Sequence, residues 1–130
     1  MPESPSPFSY TILRVVPSVE RGERLNVGVV LFCRQLGFLG ARIGLDVARL
    51  AAIAPDVSVR ELEAHLRGLA RVAEGDEGAG AIAALPPSER FGWLAAPSST
   101  IVQASEVHAG LSEDPGATLD GLFDRLVAAP

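Results

Sequence analysis

The segment Tyr10–Cys33 constrains the fold more than any other part of the 130-residue chain. Ser9–Val16 is rich in β-branched residues and stops at a proline, as a strand does. The charged loop Pro17–Arg24 follows, and its Gly22 can adopt the positive φ that a turn needs. Because Leu25–Cys33 then has the composition of a second strand, the segment predicts a β-hairpin.

The second strand is expected to be central in a sheet. Both of its faces become apolar toward its end, so both need to be covered over most of their length. Gly28 has no side chain, and alternation places Asn26 beside it, so another group can approach the backbone there. The expected faces are Leu25, Val27, Val29, Leu31 and Cys33 on one side, and Asn26, Gly28, Val30 and Phe32 on the other.

The rest of the chain predicts an α+β fold with an antiparallel sheet of about four strands. Phe38–Ile43 completes a three-strand N-terminal meander, because short turns connect consecutive strands. Thr100–Glu106 predicts a later strand, and Asp114 caps a last helix that starts at Pro115. We expect the helices to pack on one face of the sheet. The other helices are predicted at Val47–Ala54, Val59–Ala73 and Pro87–Leu94.

Length and composition favour one domain. Residues 1–8 contain three prolines and predict a flexible N-terminal tail, and residues 9–130 predict a single α+β domain. The only cysteine, Cys33, excludes an internal disulfide. Neither a secretion signal nor an apolar run of membrane-spanning length is present, so we expect a cytoplasmic protein without membrane contact.

Charge and motifs argue against several classes of function. The net charge of −5 disfavours nucleic acid as the main partner. Two histidines and one cysteine are too few for an ordinary zinc site, so no metal is expected. The spacings of a P-loop and of a dinucleotide-binding loop are missing, and no cofactor is expected.

Arg14 is the one charged residue of the first strand and the leading candidate for a binding site. It must pair, reach solvent or bind a ligand, because an unpaired buried charge is costly. A structural pair with Glu20, Glu23 or Asn26 is one interpretation, and the hairpin register decides whether Asn26 is in reach. The other interpretation is a patch of Arg14, Asn26 and Gly28 that receives an anionic group or a partner's backbone.

His108 is the only catalytic candidate, since an imidazole titrates near neutral pH and can act as a general acid or base. A surface or capping role is the alternative. If the later strand lies beside the hairpin, Gln103 and His108 border the same patch as Arg14. The candidate binding residues are Arg14, Arg21, Glu23, Asn26, Gly28 and Gln103.

Several motifs together resemble a known family. They are Arg14-Val-Val-Pro17, Glu20-Arg-Gly-Glu23, Leu25-Asn-Val-Gly-Val-Val-Leu31, Arg90-Phe-Gly-Trp-Leu94, Ala96-Pro97, Ser99-Thr100 and Val107-His108. The chain, from about Tyr10 to Val127, resembles the uncharacterised bacterial family called domain of unknown function 3037. The resemblance implies a small, stand-alone, cytoplasmic bacterial protein with no assigned activity. Such proteins are often encoded beside a kinase-like protein similar to the HipA toxin kinases, which suggests a partner.

Two hypotheses follow for the function. The first is a non-enzymatic interaction or accessory module that binds another protein, a HipA-like kinase being the partner that the resemblance suggests. It would use the hairpin loop and an exposed edge or face of the sheet. The alternative is a small enzyme or anionic-ligand-binding protein in which Arg14, Arg21 and Asn26 hold the ligand and His108 acts as acid or base. The alternative requires these groups to converge in one cleft.

Overall fold

An antiparallel sheet of five strands and four α-helices make up the computed structural model, which describes residues 4–98 and 100–129. Residues 1–3 of the predicted tail, Ser99 of the predicted motifs, and Pro130 lie outside these ranges. The elements are β1 (Ser6–Val15), β2 (Leu25–Cys33), β3 (Phe38–Ile43), α1 (Val47–Ile53), α2 (Val59–Glu74), α3 (Pro87–Ala95), β4 (Val102–Ala104), β5 (His108–Ser112) and α4 (Pro115–Leu126), with short 3-10 helices at Glu77–Ala79 and Ile82–Ala84.

The hairpin β1–β2 forms the middle of the sheet. β3 pairs with β2, and β4 and β5 pair with successive parts of β1 on its other side. The α+β class, the antiparallel sheet and the N-terminal meander are therefore confirmed. The additional strand is β5, whose sequence His-Ala-Gly-Leu-Ser has no β-branched residue and so gave no strand signal. In the part of the chain that the structure describes, no helix combines the length and the apolarity needed to cross a membrane.

The helices lie on both faces of the sheet, which corrects the expectation that they share one face. Helices α1, α2 and α3 cover one face, and α4 packs against β2 and β3 on the other. The reason is the central strand, which has apolar side chains on both sides and needs a cover on each. The first core includes Leu13, Val15, Val30, Leu50, Leu62, Leu66 and Phe91, and the second includes Phe8, Val29, Leu31, Cys33, Leu119 and Leu122.

Strand β1 begins at Ser6, inside the segment predicted as a tail and three residues before the expected start. Ser6 and Phe8 are buried, and they pair with Ser112 and Gly110 of β5. The aromatic ring of Phe8 joins the core beneath α4. Pairing with the unexpected strand β5 thus orders the residues that proline content alone assigned to a tail.

A β-bulge in β2 changes the face on which the first residues of the strand lie. Leu13 pairs with Gly28. The next residue, Arg14, pairs with Asn26, which leaves Val27 as an extra residue without a partner. Val27 is buried on the face of the sheet that α1–α3 cover, and the space beside Gly28 lies on that same face. Asn26 lies on the other face, where its side chain contacts the end of α4. The predicted grouping of Asn26 with Gly28 is wrong, because regular alternation stops at the bulge.

Candidate functional site

Arg14 and Asn26 form a contact that joins the sheet to the last helix. The two residues are opposite each other in the β1–β2 ladder, and Nε of Arg14 donates to Oδ1 of Asn26 at 3.3 Å. The Asn26 amide donates in turn to the carbonyl oxygen of Leu126 at 3.0 Å, one of the carbonyls that the end of α4 leaves without a helical partner. Of the three partners left open for Arg14, the structure therefore selects Asn26 over Glu20 and Glu23.

Gln103 of β4 lies opposite Arg14 on the other side of β1, so the hairpin and β4 bring Asn26, Arg14 and Gln103 into one row across the sheet. A cavity of about 400 Å³ opens at this row. The predicted proximity of Arg14 and Gln103 is observed. The cavity is lined by Arg14, Val16, Arg24, Gln103, Ala104, Ser105 and Glu106.

The electrostatics of this cavity leave part of the Arg14 charge without compensation. Partial burial and the positive charge of Arg24 lower the pKa of Arg14, while the negative charge of Glu106 opposes the shift. The Nη groups of Arg14 have no protein acceptor among residues 4–98 and 100–129. Since an arginine stays protonated at neutral pH, two guanidinium groups and one carboxylate face the cavity with an excess of positive charge.

Two of the four charged residues of the hairpin loop pair with each other. Arg21 and Glu23 form a salt bridge at the loop tip, where the side chain of Arg21 is 72% exposed. Gly22 lies between them with a φ of 73°, as the turn prediction requires. Neither Arg21 nor Glu23 is among the residues that line the Arg14 cavity, so these two predicted binding residues lie apart from it.

Gly28 is a packing residue of the core. A Cβ added to it would lie 3.0 Å from the carbonyl oxygen of Arg42 in β3, so the predicted approach of another group to its backbone is observed. The group is the neighbouring strand together with the side chains of Ile43 and Leu13. Because these atoms fill the space, Gly28 does not contribute a surface to the Arg14 cavity.

His108 does not converge with Arg14. It is the first residue of β5 and lies opposite Tyr10, with the two ring centroids 5.1 Å apart. Tyr10 and Arg14 are four residues apart on β1, which separates their Cα atoms by about 13 Å. His108 is also not among the residues that line the Arg14 cavity, so the structure does not show the convergence in one cleft that the enzyme alternative requires.

A second cavity, of about 260 Å³, lies at the border between the helices and β4, and it was not predicted. Trp93 of α3 is 46% exposed beside it, although the neighbouring Phe91 and Leu94 are buried. His65 of α2 is exposed at the same cavity. Apolar groups supply most of the lining, among them Leu13, Leu69, Trp93, Leu94, Ala96, Pro97 and Val102.

A signal for this cavity exists in the sequence. Phe91 and Leu94 are three residues apart and define the buried side of α3, which places Trp93 away from that side. A lone tryptophan outside the apolar stripe of a helix indicates a large apolar surface left in contact with solvent.

Comparison of the chain with protein-family models gives a match over most of its length. The family described as Protein of unknown function (DUF3037) matches residues 10–127. The chain belongs to this family. The match confirms the resemblance. The residues that line the Arg14 cavity and the Trp93 cavity all lie within the matched range. The comparisons with curated proteins and with solved structures gave no significant match.

Proposed function

We propose that this DUF3037 protein is a non-enzymatic interaction module that binds another protein through the surface around Trp93. The observation that carries the proposal is the half-exposed indole beside the apolar cavity at Leu69, Leu94 and Pro97. Tryptophan is enriched among the residues that dominate the energy of protein interfaces, since it buries a large apolar area with few rotatable bonds.

The size of the cavity supports a protein partner. At about 260 Å³ it is smaller than a usual small-molecule site, and one or two apolar side chains of a partner would fill it. Ser98 and Thr100 provide hydroxyl groups at its border, and Ser98 lies at 2.9 Å from the Thr100 hydroxyl. An apolar centre with a polar border is the usual arrangement of a protein interface.

The family resemblance suggests the partner. A kinase-like protein similar to the HipA toxin kinases, encoded beside this chain in a bacterium, is the candidate that we propose, with the complex forming in the cytoplasm. An apolar side chain of that protein would enter the cavity and contact the face of Trp93.

Trp93→Ala is expected to weaken the complex with this kinase-like protein at least about tenfold, because the half-exposed indole is the largest side chain that lines the cavity. The measurement is a dissociation constant from titration of the purified proteins. Val47→Ala is the matched control, since Val47 is 48% exposed on α1 and does not line the cavity. Equal affinities for wild type and Trp93→Ala, or no complex at micromolar concentrations, would contradict the proposal.

A second candidate function rests on the Arg14 cavity. Its excess positive charge favours an anionic group, and the guanidinium groups of Arg14 and Arg24 can hold a phosphate or carboxylate by charge-assisted hydrogen bonds. This candidate keeps Arg14 and Gln103 of the sequence hypothesis. It replaces Arg21 by Arg24 and leaves His108 out.

Arg14→Ala and Arg24→Ala are each expected to weaken the binding of pyrophosphate at least about tenfold, since each removes one charge-assisted donor. Isothermal titration calorimetry at constant ionic strength measures the effect. Arg49→Ala is the control, because Arg49 is exposed on α1 and does not line this cavity. A similar loss in Arg49→Ala would show that binding follows net charge, and the site would be rejected.

A further inference from the structure

The outer edge of β5 is a surface that the two cavities do not use. β5 pairs with β1 on one side, and within residues 4–98 and 100–129 no strand pairs with it on the other. Between Glu106 and Glu113 the only titratable side chain is His108. Two large apolar side chains in this segment are exposed, Val107 by 51% and Leu111 by 67%.

The opposite edge of the sheet differs in its protection. β3 has α2 and α4 packed against it, and its Arg42 forms a salt bridge with Asp120 of α4. Edge strands of soluble proteins usually carry charges, prolines or a covering element, because their free main-chain groups otherwise pair with another chain. β5 contains neither a proline nor a Lys, Arg, Asp or Glu, so its edge is open to pairing.

The direction of the free main-chain groups follows from the ladder. The N–H of Ile12 donates to the Ser105 hydroxyl, and the C=O of Ile12 accepts from the Ser105 N–H. Even-numbered residues of β1 therefore direct their N–H and C=O groups toward β4 and β5. Tyr10 lies opposite His108, which therefore directs its own groups inward. The alternate residues of β5, Ala109 and Leu111, direct their N–H and C=O groups outward.

We propose that two copies of this chain pair through β5, antiparallel, about a two-fold axis at Ala109. Ala109 then faces Ala109 of the second copy, and each Leu111 faces Val107 of the second copy. The outward-facing groups meet each other, and the two exposed apolar side chains form cross-strand pairs. The sheet continues through both copies in an isologous interface.

This register avoids both unpaired main-chain groups and unfavourable charges. An axis at Gly110 would place at the centre of the interface the main-chain N–H and C=O groups of Gly110, which already bond to β1. It would also bring Glu106 opposite Asp114 of the second copy, so that two negative charges face each other. An axis at Leu111 would place Glu113 opposite Ala109. With the axis at Ala109, Glu113 lies opposite Ser105 of the second copy, and Glu106 lies opposite Ser112 of the second copy.

Cysteine cross-linking tests the register. In the proposed dimer the Cα atoms of the two Ala109 residues are about 5.5 Å apart, and this distance permits a disulfide. Ala109→Cys is therefore expected to form a disulfide-linked dimer under a mild oxidant, most of the protein migrating as a dimer on non-reducing gels. Leu111→Cys is the control, because its two copies lie about 13 Å apart and do not link. Cys33 is fully buried and does not compete.

Sedimentation without any cross-link provides an independent measurement. The wild-type chain is expected to sediment as a dimer at micromolar concentrations, and Leu111→Asp is expected to sediment as a monomer because it buries a carboxylate against Val107. Val19→Asp, at a loop residue that is 75% exposed, should leave the dimer intact. A monomeric wild type, a dimer unaffected by Leu111→Asp, or a cross-link in Leu111→Cys rather than Ala109→Cys would each overturn the proposal.

Discussion

Gly28→Val is expected to lower the free energy of unfolding by about 1–3 kcal/mol. The added Cβ would lie 3.0 Å from the carbonyl oxygen of Arg42 and 3.2 Å from Cγ2 of Ile43. That carbonyl belongs to the β2–β3 ladder, so it cannot move away without weakening strand pairing at the centre of the sheet. Chemical denaturation followed by circular dichroism measures the change.

A pair of alanine substitutions separates overpacking from the general cost of changing a glycine. Gly28→Ala is expected to destabilise, because even a single methyl group meets the Arg42 carbonyl. Gly68→Ala is expected to stabilise by about 0.5–1 kcal/mol, since alanine is the better helix former, and a Cβ at Gly68 in α2 has no neighbour within 4 Å. Gly28→Ala with wild-type or higher stability would mean that the neighbouring strand gives way and that the packing argument is wrong.

The sequence predicted those parts of the fold in which a local pattern decides the structure. The strand before Pro17, the helices that begin at Val47, Val59 and Pro115, and the turn at Gly22 each depend on a few adjacent residues. The structure shows Asp46, Ser58 and Asp114 as the N-caps of these helices. In the three helix starts, a side-chain oxygen accepts a hydrogen bond from a backbone N–H three residues later, as the capping rule requires.

The features that determine the candidate sites depend on contacts between distant residues, and the sequence could not predict them. The bulge at Val27 follows from how β1 meets β2, and it moves Asn26 to the face of α4. Strand β5 exists because its main chain pairs with the start of β1, although its own residues are poor strand formers. The distance between Arg14 and His108 depends on that same pairing, so no local pattern could exclude the combined site.

The buried pair Thr11 and Ser105 illustrates how the break between β4 and β5 is accommodated. Three residues separate β4 from β5, whereas two residues of β1 lie opposite them. The Ser105 hydroxyl accepts a hydrogen bond from the N–H of Ile12 at 2.9 Å, and the Thr11 hydroxyl donates to the carbonyl of Ser105 at 2.8 Å. These bonds replace the interrupted ladder, so β5 continues the pairing along β1 from Tyr10 to Ser6.

Asn26→Ala is expected to lower the free energy of unfolding by about 1–3 kcal/mol. The substitution removes the amide that donates to the carbonyl of Leu126 and the oxygen that accepts from Arg14. Arg14→Ala should cost less, because burial and the charge of Arg24 already disfavour the protonated guanidinium, as its lowered pKa indicates. Urea denaturation of both variants at neutral pH gives the comparison.

Asn26→Asp decides which of the two contacts of Asn26 matters for stability. The carboxylate cannot donate to the carbonyl of Leu126, but it forms an ion pair with Arg14 and reduces the repulsion from Arg24. If the link to α4 dominates, Asn26→Asp is destabilised like Asn26→Ala, which is the result that we expect. Stability at or above that of the wild type would mean that the need for a negative charge beside Arg14 outweighs the link to the helix. An anion bound in the Arg14 cavity would supply the same negative charge beside Arg14.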